Sequence, residues 1–191
     1  MDNHLINKAY YPIDDNIIAN LTSKYNRLEK SFKVKNNNEK KLALEDFGKY
    51  LFELCPLFKV EANIPTLTNE IDLYLTIQPH FYPHPFLNML GYTMICECKN
   101  INKKIDSRKT DNVDTLMRDK NSKIGVYISR QGFTGKNPIS DGKGRVYKAF
   151  AEERKYIICI TYKEIYNRII ENRESLLKII QEKCDQIHKN Y

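Results

Sequence analysis

The chain has 191 residues, of which 41% are hydrophobic and 11% aromatic, and its 31 Lys and Arg against 24 Asp and Glu give a formal net charge of +7. This length and apolar content suit one packed domain and exclude wholesale disorder. The longest apolar run, YIICITY, is far too short to span a membrane. The positive charge predicts a polyanionic partner, either nucleic acid or an anionic membrane surface.

Cysteine usage and the start of the chain bear on the cellular compartment. The N-terminal segment MDNHLINKAYYPIDDN lacks the apolar core of a signal peptide. The cysteines are scattered and odd in number, and we expect them to be reduced, buried thiols. We therefore expect a cytoplasmic protein with no membrane partner. The five residues are Cys55, Cys96, Cys98, Cys159 and Cys184.

Apolar residues at spacings of three and four predict helices, and alternation of apolar and polar residues predicts strands. In chain order we predict helices over 14–33 and 39–54, strands over 57–62, 70–77 and 92–99, a weakly patterned helix over 105–120, a strand over 123–129, a helix over 144–154, a strand over 156–162 and a long closing helix over 163–187. Two long loops separate them, a Pro- and His-rich one over 78–91 and a Gly-rich one over 130–144.

The order of these elements predicts an α/β fold, in which helices cover both faces of a mixed sheet. The sequence contains no repeat and no low-complexity tail. We divide the chain into an N-terminal helical extension over 1–38 and a single globular unit over 39–191.

The strands EIDLYLTI and YTMICECK predict an antiparallel hairpin with a defined register. If the pair is symmetric about the connecting loop, Leu73 faces Cys96, and one face of the hairpin is wholly apolar or aromatic. Asp72 then faces Glu97 on the other side. A slip by one residue would mix the two faces, so the pattern favours this register or one shifted by two.

This register places charges in a strand that otherwise resembles core. Asp72 and Glu97 would repel across the ladder, and a divalent cation such as Mg²⁺ between them would remove the repulsion. Lys99, which meets Glu70 in this register, would then stabilise developing negative charge or orient a water. The alternative is a partly exposed salt bridge of Lys99 with Asp72 or Glu70 on a solvated sheet face.

An acid at one strand, acid-x-Lys on the next and an acid on an upstream helix together resemble the PD-(D/E)XK nuclease superfamily. The resemblance runs over about 44–160 and is similar to the stand-alone and methyl-directed restriction-endonuclease branches. Glu45 in LEDF matches the acid of the first core helix, Asp72 the metal-binding aspartate, and Glu97 and Lys99 the (D/E)XK pair.

The resemblance also has local departures. Glu70 sits where many members carry a further acid, and it is a possible accessory acid here. Thr68 and Asn69 replace the glycine-containing turn that is common before it, and the 78–91 loop is longer and richer in Pro and His than a usual hairpin turn. The implied fold is a restriction-endonuclease-like three-layer core, extended by an extra N-terminal helix and a long C-terminal helix.

The resemblance implies a Mg²⁺-dependent DNA endonuclease of a restriction or phage-defence type, and we expect Mn²⁺ to substitute for Mg²⁺. It implies that Asp72 and Glu97 hold the metal, that Glu45 holds a second metal or a metal water, and that Lys99 positions water or offsets charge on the transition state.

Three alternatives stay open at this point. The same fold also serves DNA repair and junction-resolving nucleases. A non-catalytic nucleic-acid-binding or assembly module could keep the fold as a scaffold, and composition does not separate DNA from RNA. Cutting both DNA strands at once would favour a homodimer, because each site holds one phosphate.

Basic residues flank the proposed acids in chain order, which predicts a phosphate-binding groove. For any one of them, a solvated surface is the alternative. The first cluster follows the acid-x-Lys triplet and the second surrounds the Gly-rich loop. The candidates are Lys103, Lys104, Arg108 and Lys109, then Arg130, Lys136, Lys143 and Arg145.

His80 and His84, with Cys96 and Cys98 nearby in sequence, also have the residue types of a zinc site. The two cysteines fall on the apolar face in the predicted register, whereas the histidines lie at the hairpin tip. We therefore favour a rigid loop that packs on a neighbour or meets DNA through Phe81, Tyr82 and Phe86.

Overall fold

The computed structural model describes residues 14–66, 70–78, 85–135 and 141–190. One sheet has the strand order β1-β2-β3-β4-β5. The strands are β1 (Phe58–Pro65), β2 (Glu70–Ile77), β3 (Thr93–Lys99), β4 (Ile124–Ser129) and β5 (Tyr156–Thr161). The α-helices are α1 (Asp15–Ser31), α2 (Asn37–Glu53), α3 (Pro85–Leu90), α4 (Ser107–Asp119), α5 (Gly142–Glu153), α6 (Tyr162–Ile165) and α7 (Leu176–Asn190), and a π-helical segment covers Tyr166–Glu171.

The sheet is mixed. β1, β2 and β3 pair antiparallel, whereas β3, β4 and β5 pair parallel. Parallel neighbours need crossover connections, and α4 and α5 supply them. The predicted α/β class with a mixed sheet between helices is confirmed.

The predicted hairpin register is confirmed, because Leu73 pairs with Cys96 and Leu75 with Met94. Helix α2 covers this apolar face at close range. A Cβ atom on Gly48 would lie 3.1 Å from the Sγ of Cys98. The missing side chain therefore lets α2 approach the strands that carry the predicted acids.

Helix α4 covers the other face of the sheet. A Cβ atom on Gly125 of β4 would lie 2.7 Å from both the Sδ of Met117 and the Cγ1 of Val113, two residues of α4. The sheet is therefore enclosed on both sides, and strand β4 is buried along its whole length.

The N-terminal helix α1 belongs to the same hydrophobic core. The side chain of Asp14 caps it by accepting a hydrogen bond from the Ile17 N–H at 2.9 Å. Leu21 and Leu28 on its inner face are fully buried in the core. The predicted boundary after residue 38 stays a prediction.

The closing helix predicted over 163–187 is divided. A capping box at Thr161 starts α6, the chain continues through the π-helical segment, and Arg173 then adopts a left-handed conformation with φ 57°. A side-chain oxygen of Ser175 accepts from the Lys178 N–H at 3.2 Å and opens α7. Arg168 forms ion pairs with Glu174, which lies in the break, and with Glu182 of α7. These ion pairs stabilise the break.

The 78–91 loop contains α3, which the Pro- and His-rich sequence did not predict. Phe86, Leu87 and Leu90 of this short helix are buried in the core. His80 and His84 lie outside the described residues, as do Phe81 and Tyr82. The predicted packing of the hairpin tip is therefore not described.

All five cysteines are buried, and each is a free thiol. No helix in the described part of the chain is long and apolar enough to cross a bilayer.

The start of α5 packs tightly on the loop between β3 and α4. A Cβ atom on Gly142 would clash with the carbonyl oxygen of Ile105, which is main chain and cannot rotate away. We expect Gly142→Ala to lower the free energy of unfolding by about 1–3 kcal/mol, measured by urea denaturation. Gly132→Ala is the matched control, because no atom lies within 4 Å of its added Cβ. Equal stability of the two variants would contradict this packing.

Candidate active site

The strands β2 and β3 stop pairing at the predicted acids. Their ladder ends at Leu73 and Cys96, one residue before Asp72 would meet Glu97. The carboxylate of Asp72 instead accepts a hydrogen bond from the Cys98 N–H at 2.7 Å. A side-chain oxygen thus takes the place of a ladder carbonyl, which fixes the orientation of the aspartate.

Asp72 and Glu97 are both only 4% exposed, and both form ion pairs with the same lysine. Lys99 Nζ lies 2.5 Å from Glu97 Oε2 and 3.6 Å from Asp72 Oδ2. A buried charge without a partner would cost several kcal/mol, so the lysine is what permits two carboxylates at this depth. The structure therefore brings all three residues of the predicted motif together.

The pKa values of this group are shifted by burial and by mutual charge. Burial raises the pKa of Glu97, the charge of Lys99 lowers it, and the charge of Asp72 raises it again, with a net upward shift. Burial lowers the pKa of Lys99, but the neighbouring Glu97 and Asp72 carboxylates outweigh burial and raise it above its ordinary value. Lys99 is therefore a cation at neutral pH.

Glu45 on α2 is buried beside this group. Burial, and then the charge of Asp72, raises the pKa of Glu45. Lys41, one helical turn earlier, lies 3.3 Å from Glu45 Oε1 and 3.3 Å from Glu70 Oε1. Sequence analysis missed Lys41, although its position four residues before Glu45 is the spacing at which helical side chains meet.

The buried carboxylates of Asp72, Glu97 and Glu45 are the groups that could bind a divalent cation here. Within the described residues, no group of three or more His, Cys, Asp or Glu side chains is close enough to hold a metal ion. The buried Glu97 Oε1 nevertheless has no hydrogen-bond partner among the described residues, and Glu45 Oε1 has only its ion pair with Lys41. Mg²⁺ is usually bound through only one or two carboxylates with water and phosphate, and these residues fit that requirement.

The residues of the predicted phosphate-binding groove fall into two groups. Lys103, Lys104, Arg108 and Lys143 are exposed. They belong to the segments that follow β3 and β4, which a bridge between Ile105 and Phe133 joins. These side chains are available to a ligand on the side of the sheet where the strand of Lys99 ends.

Arg130 and Arg145 are instead held by protein groups. Arg145 Nε lies 3.4 Å from Asp111 Oδ1 in the groove between α4 and α5. Arg130 contacts Asn102, Tyr162 and Phe32. Lys109 Nζ lies 2.7 Å from Asp106, whose side chain caps α4 by accepting from the Lys109 N–H. Lys136 lies outside the described residues.

The chain is similar in structure to the DNA modification-dependent restriction endonuclease AspBHI, with a TM-score of 0.50 and 11% sequence identity. The match covers 94% of this chain and 42% of that one, so the chain spans less than half of the matched protein. At this identity the shared property is the fold, and the α/β restriction-endonuclease-like core is confirmed. No protein-family model and no curated protein matches the sequence.

The raised pKa of Glu97 has a consequence for stability. A carboxyl group whose folded pKa lies above its ordinary value of 4.5 stabilises the fold when protonated, and this contribution is lost as the pH rises through the folded pKa. Glu97→Gln imitates the protonated form. We expect it to unfold at a higher urea concentration than wild type at pH 7.5, because the wild-type fold has then lost the contribution of the protonated carboxyl.

Below pH 4.5 this advantage of Glu97→Gln should shrink, because wild-type Glu97 is then protonated in both states. Glu53→Gln, at the exposed end of α2, is the matched control variant. A Glu97→Gln variant that is less stable than wild type at pH 7.5 would show that its ion pair with Lys99 outweighs its burial.

Proposed function

We propose that the protein is a Mg²⁺-dependent DNA endonuclease of a restriction or phage-defence type. One observation carries the proposal: Asp72 and Glu97 are buried on neighbouring strands of a restriction-endonuclease-like sheet, and Lys99 contacts both. An ordinary solvated salt bridge does not require two buried carboxylates.

Asp72 and Glu97 would hold Mg²⁺ or Mn²⁺, with Glu45 as a further acidic ligand or as a partner of a bound water. The cation would polarise the scissile phosphate and lower the pKa of a water. The Cys98 N–H holds one oxygen of Asp72 in place. Glu97 keeps one oxygen without a hydrogen bond among the described residues.

Lys99 would act on the phosphate. Its ammonium group is a cation at neutral pH because Glu97 and Asp72 raise its pKa. It is 31% exposed along its side chain, so it is accessible from solvent while it stays at the carboxylates. A fixed positive charge at this place would stabilise negative charge that develops on the phosphate, or would orient the attacking water.

DNA would be the substrate because exposed cations surround the acids. Lys103, Lys104 and Arg108 follow the strand that carries Glu97 and Lys99, and Lys143 lies at the start of α5. Cationic side chains that contact phosphates supply most of the affinity of such proteins for DNA. A homodimer would allow both strands to be cut.

A second candidate is a non-catalytic nucleic-acid-binding module on the same fold. It is favoured by the contacts of Lys99, whose single positive charge already pairs with both carboxylates. In such a protein the acidic group would serve the fold alone, and the basic surface would carry the function.

Cleavage assays on supercoiled, linear, branched and modified DNA separate the two candidates. We expect wild type to bind without cutting in EDTA and to cut when Mg²⁺ or Mn²⁺ is added. Glu97→Gln and Lys99→Ala should each lower the cleavage rate by about 10²–10³-fold or more, because each removes one electrostatic stabiliser. DNA binding should survive in both variants, since other cations supply most of it.

Glu53→Gln, on the exposed end of α2, controls for the loss of any one carboxylate. A wild type that cuts none of these substrates, together with a Glu97→Gln variant of unchanged biological activity, favours the binding module.

Glu45 and its neighbour Asp46 provide a matched pair for metal binding. Glu45 is buried, whereas Asp46 is exposed and lies 3.0 Å from Lys24. We expect Glu45→Gln to weaken Mn²⁺ binding in calorimetric titration and to slow cleavage, because it removes a negative charge beside Asp72. Asp46→Asn should bind Mn²⁺ as wild type does. Equal affinities of the two variants would remove Glu45 from the metal site.

A further inference from the structure

Arg130 is the centre of a cluster at the end of the sheet where the parallel strands finish. Lys99, Ser129 and Thr161 are in register as the last residues of β3, β4 and β5. Arg130 directly follows β4 and Tyr162 directly follows β5, so both lie at the same end of the sheet as Lys99.

The guanidinium group of Arg130 donates hydrogen bonds along its edge and packs against an aromatic ring with its face. Nε donates to the hydroxyl of Tyr162 at 3.3 Å, and one terminal nitrogen donates to Asn102 Oδ1. The ring of Phe32 stacks against the group, with its centroid 4.4 Å from Cζ. Gln131 adds a hydrogen bond of 2.9 Å to the Asn102 carbonyl. Arginine suits such a site because its planar fork can donate and stack together.

Each of the three partners of Arg130 is followed in the sequence by a lysine. Lys33 follows Phe32, Lys103 follows Asn102 and Lys163 follows Tyr162. All three lysines are exposed. In the described parts of the chain none of them forms an ion pair, in contrast to lysines such as Lys155 and Lys183.

We propose that the Arg130 cluster is a scaffold for a phosphate-binding surface formed by Lys33, Lys103 and Lys163. The inference rests on the proposed function, and it assigns DNA backbone as the ligand of this surface. It adds the end of helix α1 and helix α6 to the DNA-binding elements, because Lys33 lies two residues after α1 and Lys163 lies in α6.

The dimensions agree with a nucleic-acid strand. Neighbouring strands are about 4.8 Å apart, so the ends of β3 and β5 are separated by about 10 Å. This equals the axial rise of about three phosphates along one DNA strand, at about 3.4 Å each. Lys103 follows β3, Lys163 follows β5 and Lys33 follows α1 in the chain. The three lysines would neutralise phosphates of a strand that also passes Lys99.

Arg130 is a positioning residue in this inference. Its donors and its face are directed at Tyr162, Asn102 and Phe32, so it orders three chain segments that are far apart in sequence. Its effect on DNA would pass through the lysines, and not through a phosphate contact of its own.

The test is the salt dependence of duplex DNA binding by the full chain, measured by fluorescence anisotropy in EDTA over about 50–200 mM salt. The slope of log affinity against log salt changes by about 0.9 for each phosphate contact. We expect Lys33→Ala/Lys163→Ala to reduce the slope by about 1.8, so that the loss of affinity over this salt range becomes about tenfold smaller. Lys123→Ala is the matched control, because Lys123 is exposed just before β4, at the opposite end of the sheet.

Arg130→Lys separates positioning from direct contact. It keeps the positive charge but loses the fork, so it should reduce the slope in the otherwise wild-type chain and have little further effect in the double variant. If Arg130 itself contacted a phosphate, the lysine would keep that contact, and the salt slope of Arg130→Lys would equal that of wild type. If Arg130→Lys does not fold, Tyr162→Phe repeats the measurement, because it removes the hydroxyl that Arg130 donates to without altering any charge.

A slope for Lys33→Ala/Lys163→Ala equal to that of Lys123→Ala overturns the inference. If wild type binds and cuts DNA in that case, the proposed function stands and only the location of the surface is wrong. If wild type shows neither salt-dependent binding nor cleavage with Mg²⁺ or Mn²⁺, both the proposed function and this inference fail.

Discussion

The structure depends on how two carboxylates are kept inside a sheet. Asp72 and Glu97 are almost completely buried, and neither would be tolerated there as an isolated charge. The ammonium group of Lys99 forms an ion pair with each of them, and the Cys98 N–H fixes Asp72. These contacts require that β2 and β3 part at this end of their ladder, and the close approach of α2 at Gly48 brings Glu45 to the same place.

Some positive charges of the protein are held in ion pairs that stabilise the fold, and others are exposed and free to contact a ligand. Lys155 is buried and pairs with Asp114 and Glu153, and Arg168 pairs with Glu174 in the helix break and with Glu182 in α7. The lysines beyond the ends of the parallel strands are exposed. A chain with a net charge of +7 thus keeps exposed lysines beyond the ends of its parallel strands, where a phosphate-binding protein could use them.

The two strands that carry the candidate site could be predicted in full, because their side chains alternate and a shifted register would have mixed apolar and charged faces. The end of their pairing at Asp72 could not be predicted, because strands that pair along their whole length have the same sequence pattern. Lys41 was missed because a lysine on a helix is usually solvated. The closing helix was predicted as continuous because its apolar spacing continues through the break, where left-handed Arg173 interrupts the backbone.

The role of Arg130 could not be predicted for a different reason. Its hydrogen-bond partners lie 28 and 32 residues away in the sequence, and the third partner is on the first helix. Only the folded sheet brings them together, so sequence analysis could assign Arg130 to a cationic cluster but not to the centre of an aromatic and polar one. The burial of Leu21 and Leu28 of the N-terminal helix in the common core likewise becomes visible only in the folded chain.

The hydrogen bond from Cys98 to Asp72 gives the protein its own spectroscopic reporter. A main-chain amide that donates to a carboxylate at 2.7 Å has its proton resonance shifted downfield, and the shift follows the electron density on the acceptor oxygen. The amide lies between Glu97 and Lys99 in the chain. Nuclear magnetic resonance of a protein labelled with nitrogen-15 would therefore register the charge state of the carboxylate at one assigned peak, without a probe attached to the site.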